Sequence, residues 1–484
     1  MTSPEAAWDM ETDIVVLGCG AAGSAAAIEG HDRGAKVVIL EKMPPIHAGG
    51  NTRVSGGIWF NNVDADRAAV YLESLCGGYP LPAPVVRAWA VETARNTEWL
   101  TGIGANVGPH ADYTPEYPEL DGSDCYGGYM GIEGKMGRAL LFDFLQSAIR
   151  QRGIEILYET PGRELIVDPD SGRVVGVIAI RAGKPFRVAA RRGVVLATGG
   201  FENDKDMVRD YLGLADSPVW GSPAATGDGH RMAQQIGADL WHMDNLMAIV
   251  GVRAPDFAAG FATLGLVGAK GYVFVGLDGS RFVDENVQIR HGHARIHGRY
   301  EIYPLQRAYV IFDERTRRAG PLVPSPEDMP VGWNVVIENY LWSDDNLAEI
   351  EKGWIVKSDT LPGLAAKLGL DARALEKSIA LYNRYCATGD DEQFGRDPGT
   401  LIPLLEPPFY AFTSNPILAW SNGGPRRNEK SQVLNAFGET IAGLYAAGTV
   451  SSTYSWCKDG GFHIADALAF GRVAGRHAAS EVSN

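Results

Sequence analysis

Residues Thr12 to Lys42 read TDIVVLGCGAAGSAAAIEGHDRGAKVVILEK, and this stretch decides the fold. Asp13 to Leu17 is an apolar run of strand length. Gly18-Cys19-Gly20-Ala21-Ala22-Gly23 follows at once. Ser24 to Gly34 is Ala-rich and reads as a helix, and Lys36 to Leu40 is a second strand ending at Glu41-Lys42. Strand, G-x-G-x-x-G, helix, strand and acid, in that order, form a dinucleotide-binding fingerprint. Gly18 permits a sharp turn, Gly20 lets backbone approach a pyrophosphate, and Gly23 lets helix and strand pack closely. The free N–H groups of the helix start, at Ala21 and Ala22, face phosphates, and Glu41 accepts hydrogen bonds from a ribose diol. A glycine-rich strand–helix turn that binds nothing shares the first half of this pattern. The acid after the second strand separates the two readings.

The chain of 484 residues is long enough for about two or three domains. Apolar residues make up 45%, which supports a large core, and the 59 glycines imply many tight turns and close backbone approaches. A net charge of −15 disfavours nucleic acid and anionic membrane as partners. The five cysteines (19, 76, 125, 386, 457) form no CxxC, which fits a reducing compartment and argues against iron–sulfur clusters and disulfide frameworks. The acidic, polar start MTSPEAAWDMETD is unlike a signal or transit peptide. No run approaches about 18 consecutive apolar residues. The expectation is a cytoplasmic protein with no transmembrane segment and no metal, its oligomeric state left open.

After the fingerprint, Gly49-Gly50-Asn51-Thr52 and Ser55-Gly56-Gly57 form a loop able to lay amides against a flat ring system. Residues 64–105 show apolar spacing for two helices. Residues 106–137 read as a long polar loop with Tyr113, Tyr117, Tyr126 and Tyr129, and such loops are often functional. Residues 139–152 are an amphipathic helix. Five short strands then run from Ile154 to Ala197, with hairpin turns at Pro169–Gly172 and Arg181–Lys184, as an antiparallel meander. The last strand leads into Ala197-Thr198-Gly199-Gly200-Phe201, and Thr226-Gly227-Asp228-Gly229 precedes a helix. Residues 251–405 change texture and read as an inserted substrate or capping domain, leaving 1–250 and 406–484 as the nucleotide domain. Gly443 to Gly448 is a second glycine-ended strand, and Gly460-Gly461 opens a helix over 462–478.

A nicotinamide enzyme has no use for that second glycine strand so late in the chain. FAD does, because it spans its domain and its isoalloxazine is held at the far end. Gly448, Gly461 and Ile464 therefore join the cofactor residues, and the helix opening at Gly460 can aim its positive end at the flavin N1–C2 edge. With GCGAAG, EK, GGNTRVSGG, LATGGF, GDG, GSRFVDE (279–285), SNGGPRRN (421–428), GLYAAG and GG-FHIADALAFGRVAG (460–475), the chain resembles the flavoproteins that include soluble fumarate reductase, tricarballylate dehydrogenase and the 3-ketosteroid dehydrogenases. The resemblance implies an α/β fold. In it, a glutathione-reductase-type FAD-binding domain (Rossmann-like βαβ plus antiparallel meander) carries an inserted α+β capping domain. It also implies non-covalent FAD, hydride transfer between flavin N5 and a carbon beside a carbonyl or carboxylate, and a separate electron acceptor. GGPRRN and RFVDENVQIR look closest to the tricarballylate branch.

The chain departs from the fumarate reductases where their chemistry sits. The strand region matching their first histidine is Leu246–Val250, and that matching their second is Ala419-Trp420-Ser421-Asn422; neither carries one. Lys458 stands where they place a carboxylate-binding arginine, and Gly265 and Gly268 fall where their Glu/Arg proton relay would be. The ketosteroid dehydrogenase tyrosine would match Ile289, and Arg290 lies one further, where the tricarballylate branch has its arginine. Arg290, Tyr454 and Lys458 are therefore the catalytic candidates, Arg290 to orient or polarise a carbonyl rather than form a surface salt bridge. Trp456, Trp420, His291 and His293 are pocket candidates, against plain packing or surface roles. The expected activity is desaturation, or reduction, of a C–C bond next to the carbonyl of a cyclic ketone such as a ketosteroid or cyclohexanone derivative. A (poly)carboxylic acid of the tricarballylate type is the alternative substrate, and a flavin electron-transfer subunit of a larger complex is the rival class.

Overall fold

The structure, a computed structural model, describes residues 7–111, 114–214, 217–257, 260–268, 270–285, 291–296, 299–302, 307–333 and 340–481. It divides into two compact units: 1–213 with 221–246 and 420–484, and 214–220 with 247–419.

The first unit is built on the opening stretch. Strand β1 (Met10–Leu17) runs into helix α1 (Ala21–Asp32) and then strand β2 (Val37–Leu40). Ile14 to Leu17 and Val37 to Leu40 are all buried, the continuous apolar pattern of parallel strands covered on both faces. The sheet has eight strands. Its main path runs Gln432–Leu434, Thr440–Ala446, Lys184–Leu196, β1, β2, Glu155–Leu157, and every pairing from Thr440–Ala446 onward is parallel.

Four local readings change. Residues around 155–157 pair parallel with β2 and are not part of the meander. The two strands expected over 186–197 are one 13-residue strand, Lys184–Leu196; its first half pairs antiparallel with Val174–Arg181 and its second half joins the parallel sheet. The stretch expected as a long loop carries Val107–Pro109 and Tyr126–Ile132; the second pairs with the first on one side and with Trp59–Asn62 on the other. Alternation in YGGYMGI is hidden by its glycines, so composition alone reads as loop. Residues 64–105 hold a third short helix, Asn96–Gly102, beyond the two expected.

The last helix, Phe462–Ser480, lies against α1 with almost no spacing. A Cβ at Gly471 would come within 2.4 Å of the Ala22 carbonyl oxygen, and one at Gly475 within 2.2 Å of that of Ala26. Small residues on both helices are what allow this approach.

The second unit holds a six-stranded sheet whose main path is Phe261–Ala262, Leu246–Val252, Phe409–Ser421, Ala308–Asp313, Tyr272–Val275. Phe409 to Ser414 pair antiparallel with Asp313 to Ala308, so residues 406–419 belong with this unit rather than with the nucleotide domain where the sequence bounds put them. Arg281 and Glu285 of the RFVDE motif are buried with Asp391 and Arg396. Arg281 donates to both Glu285 carboxylate oxygens (2.7 and 2.6 Å) and both of Asp391 (2.9 and 2.7 Å). Arg396 donates to the Tyr272 carbonyl (2.7 Å) and to Glu285 (3.2 Å). No helix among the described residues is long and apolar enough to cross a membrane.

Candidate functional site

Parallel register brings the glycine segments to one edge of the first unit. Leu17 stands beside Leu40 and Leu196, and Leu196 beside Ala446, so the chain leaves the sheet at one level in four neighbouring strands. The exits are tied together: the N–H of Gly18 donates to Leu40 O (2.8 Å), that of Ala197 to Leu17 O (2.9 Å) and that of Ala447 to Leu196 O (3.0 Å). In open α/β sheets ligands bind beyond these carboxyl ends. Gly18 has φ +96°, and a Cβ there would lie 2.5 Å from the Ala197 carbonyl; a Cβ at Gly23 would lie 1.9 Å from Gly18 O. Gly20 starts α1 and Gly461 starts the last helix, neither with a side-chain cap.

Around this edge the other cofactor candidates take distinct places. Thr52 Oγ1 accepts from the Ala21 N–H (2.8 Å), fixing the Gly49–Gly50 loop to the start of α1, and Ser55 Oγ accepts from the Gly57 N–H just beyond Gly56 (3.1 Å). Asn51 is held from both sides: its Nδ2 donates to Glu202 Oε1 (2.7 Å) while its Oδ1 accepts from Ser222 N (2.7 Å). Glu202, buried and raised above the usual carboxylate range by that burial, also accepts from Ser421 N and Oγ beside Gly200. Glu41 is buried at the end of β2, where it accepts from the Cys19 and Met43 N–H groups (3.1 and 2.9 Å). Lys42 donates to Asp228 (2.8 Å) and Thr226 (2.6 Å), so these two candidates spend their charges on each other. Thr198 Oγ1, next to Gly199, is buried with no hydrogen-bond partner among the described residues.

A second cluster lies at the start of the last helix, still within the first unit. Lys458 is fully buried, and its Nζ has no hydrogen-bond partner among the described residues. The amine sits 5.6 Å from the centre of the Trp420 ring. Burial pulls it down to about 7, against the opposing pull of Glu116, Cys457 and Asp459. Asp459 is buried too, and burial with the nearby Glu116 carboxylate pushes it up to about 7. It accepts from the hydroxyls of Tyr71 and Tyr129 (2.6 Å each) and from the Glu116 N–H (2.9 Å).

Tyr454 is placed differently from expectation. Its hydroxyl donates to the Phe462 carbonyl, and burial pushes the phenol well above its ordinary range. A phenol held as a permanent donor exchanges no proton near neutral pH, which removes Tyr454 from the acid–base candidates. Trp456 packs against Tyr79 (5.1 Å between ring centres) and over Gly77. His291, with φ +54°, and the buried His293, at the start of His293–Ile296, belong to the second unit. Arg290 lies outside the described residues, as does Tyr113.

A family described as FAD binding domain matches residues 13–467. The chain belongs to the FAD-binding flavoprotein family. Fumarate reductases and 3-oxosteroid 1-dehydrogenases are among its relatives. The chain is 30% identical to an NADH:fumarate oxidoreductase of Klebsiella pneumoniae over 96% of its length, but spans only 47% of that enzyme. It is 29% identical to a vinyl phenol reductase of Lactiplantibacillus plantarum, covering 96% of each chain. A 3-ketosteroid delta1-dehydrogenase from Sterolibacterium denitrificans, solved with 1,4-androstadiene-3,17-dione, shares the fold: TM-score 0.82 over 97% of this chain and 99% of that one, at 23% identity. The protein is an FAD-dependent oxidoreductase whose relatives are dehydrogenases and reductases acting on CH–CH bonds.

The residues present fit FAD. The Ala21 N–H, expected to face phosphate, is taken by Thr52, but neither Gly20 nor Gly461 supplies a capping side chain, and the other backbone donors of the two helix starts would serve a diphosphate and the flavin edge. A Cβ at Gly18 or Gly23 would collide with backbone that must stay at the strand ends. Glu41 keeps acceptor capacity, since an ionised carboxylate offers about four lone-pair sites and two are used. The candidates that would hold FAD are Gly18–Gly23, Glu41, Gly49–Gly57, Ala197–Gly200, Gly448 and Gly461–Ile464. Sequence reasoning missed Glu202, Asp459, Asn422 and His463. His463 Nε2 lies 2.6 Å from Asn422 Oδ1, and the Trp420 indole nitrogen lies 2.8 Å from Nε2 and 3.1 Å from Nδ1. The available signal was a histidine two residues after the Gly460-Gly461 pair.

Proposed function

We propose that this flavoprotein desaturates, or in reverse saturates, a C–C bond beside a single carbonyl, with a cyclic ketone such as a ketosteroid or cyclohexanone derivative as the substrate class. The observation that carries the reading is Lys458, a buried amine without a hydrogen-bond partner among the described residues, held beside the Trp420 ring. Removing a hydrogen next to a carbonyl puts negative charge on the oxygen, and a preorganised cation there lowers the barrier. An amine titrating near 7 is also matched to proton exchange at neutral pH. Bound FAD supplies the two-electron acceptor for the hydride. A dicarboxylate asks for a cation at each end. The strand Leu246–Val252 is apolar throughout, and Gly265 and Gly268 have no side chain to relay a proton. We therefore expect negligible fumarate reduction.

A carboxylic acid substrate is the second reading, favoured by the same lysine acting as a single ionic contact. The two separate in one anaerobic experiment. Oxidised holoenzyme is mixed with saturated cyclic ketones, ethyl phenols and saturated polycarboxylates, the reduced partners able to give up a hydride, and flavin bleaching is followed. Bleaching by cyclic ketones alone supports the first reading; bleaching by tricarboxylates alone replaces it with the second.

A further inference from the structure

We propose that His463 is a positioning residue that fixes the Trp420 ring against the Lys458 amine. The inference deepens the proposed function, on which its catalytic meaning rests, by saying what keeps the lysine's environment in place. An indole N–H has one hydrogen and no acceptor. It can donate only to an unprotonated imidazole nitrogen, so His463 is neutral when this contact is made. The indole nitrogen lies 2.8 Å from Nε2 and 3.1 Å from Nδ1; because Nε2 is the nitrogen that meets Asn422 Oδ1 (2.6 Å) and donates to it, the acceptor for the indole is Nδ1. Asn422 is itself anchored, since its backbone N–H donates to Asn245 O (2.9 Å) and its Oδ1 accepts from Ser452 Oγ (3.3 Å). Asn245 in turn donates to the Tyr454 and Trp456 carbonyls, on the segment that leads to Lys458. The histidine lies in the first turn of the last helix, where the helix dipole disfavours its protonation. The Tyr454 ring, 5.2 Å away, packs on its other side.

One edge of Trp420 is thereby tied to His463 while its ring meets the amine. A cation within about 6 Å of an indole centre is stabilised by the ring, more so when desolvated. The other groups acting on Lys458 are Glu116, Cys457 and Asp459, the last held by Tyr71 and Tyr129. They are unchanged in the variants below. If Trp420 keeps its place only because His463 holds it, loosening the histidine makes Lys458 easier to deprotonate.

The test reads Lys458 without substrate. In holoenzyme, the stability difference between the protein and its Lys458→Met variant is followed against pH. That difference starts to change at the pH where folded Lys458 loses its proton. Trp420→Leu, which keeps apolar cover but removes the ring, is expected to move this point down by about 0.4 to 1.5 pH units. His463→Leu should move it the same way by a smaller amount. His463→Gln, whose carbonyl can accept from the indole, should restore it. Once a substrate is in hand, the pH profile of kcat/KM should move in parallel. A His463→Leu protein that titrates like the parent while Trp420→Leu shifts would overturn the proposal, as would a Gln variant no better than Leu. If Lys458→Met keeps full turnover, the proposed function fails, yet the substrate-free titration still judges the role of His463. Should Trp420→Leu fail to fold, Trp420→Phe gives a weaker ring in its place, and a shift of the same sign supports the proposal.

Discussion

Two of the places where the protein buries charge treat it in opposite ways. In the second unit, Arg281 is gripped by two carboxylates and flanked by the rings of Tyr382 and Phe394, and Arg396 shares Glu285. Every charge there has a partner. In the first unit, Lys458 has none within hydrogen-bond reach among the described residues, and its neighbour Asp459 is held by hydroxyls and an amide rather than by a cation. The first arrangement moves its groups toward permanent ionisation, with Arg281 raised and Asp391 lowered. The second moves a base and an acid toward neutrality, both to about 7. A buried charge is therefore no mark of a reaction site by itself. Leaving one unpaired is, because folding gains nothing from it and chemistry does.

The sharpest way to break this comparison is Glu285→Ala. It leaves Arg281 with Asp391 alone and takes from Arg396 the carboxylate its guanidinium meets, and should cost about 3–5 kcal/mol in chemical denaturation. Lys458→Met should do the reverse. We expect turnover to fall about 10²–10³-fold, with a Tm equal to or above that of the parent, since no ion pair is lost. A Tm that drops as far as for Glu285→Ala would mean that Lys458 is structural.

The pH dependence sharpens the contrast further. Lys458 falls from an ordinary 10.5 to about 7, so between these values the unfolded chain binds a proton that the folded one does not, and stability rises with pH. Asp459 rises from 3.8 to about 7, so in that window the folded chain holds the extra proton, and stability falls as pH rises. Together they should produce a dip in stability near neutral pH. Urea titrations across pH should show that dip flatten in a Lys458→Met, Asp459→Asn double variant. The smallest effect expected is that of Thr52→Val, which removes the acceptor for the Ala21 N–H and should weaken FAD retention by about 1 kcal/mol, read as loss of flavin on dilution.

Much of this was legible before the fold. The fingerprint works because strand, turn and helix are contiguous, and Leu17, Gly18, Gly20 and Glu41 stand where the sequence puts them. Lys458 was legible from its place before Gly460-Gly461. What stayed hidden was pairing across the chain. Lys42 and Asp228 both read as cofactor residues, and only the folded loop shows them 2.8 Å apart. RFVDE read as a motif near the chemistry, while the partner that explains Arg281 lies 110 positions on, at Asp391. Tyr454 looked like an acid or base because sequence carries no information on where a hydroxyl points. His463 was passed over because its partners, Trp420 and Asn422, come from another segment.

The tight contact between α1 and the last helix has a further consequence for how the protein is made. The fingerprint is made well before its sheet neighbours at 184–196 and 440–446 and before the helix seated on Ala22 and Ala26. A nascent chain halted before Gly461 owns the phosphate turn and lacks the helix start at the flavin end. Until the segment from Gly461 onward is made, the Ala-rich face of α1 is a surface for chaperones to cover, and the folded state waits on that segment.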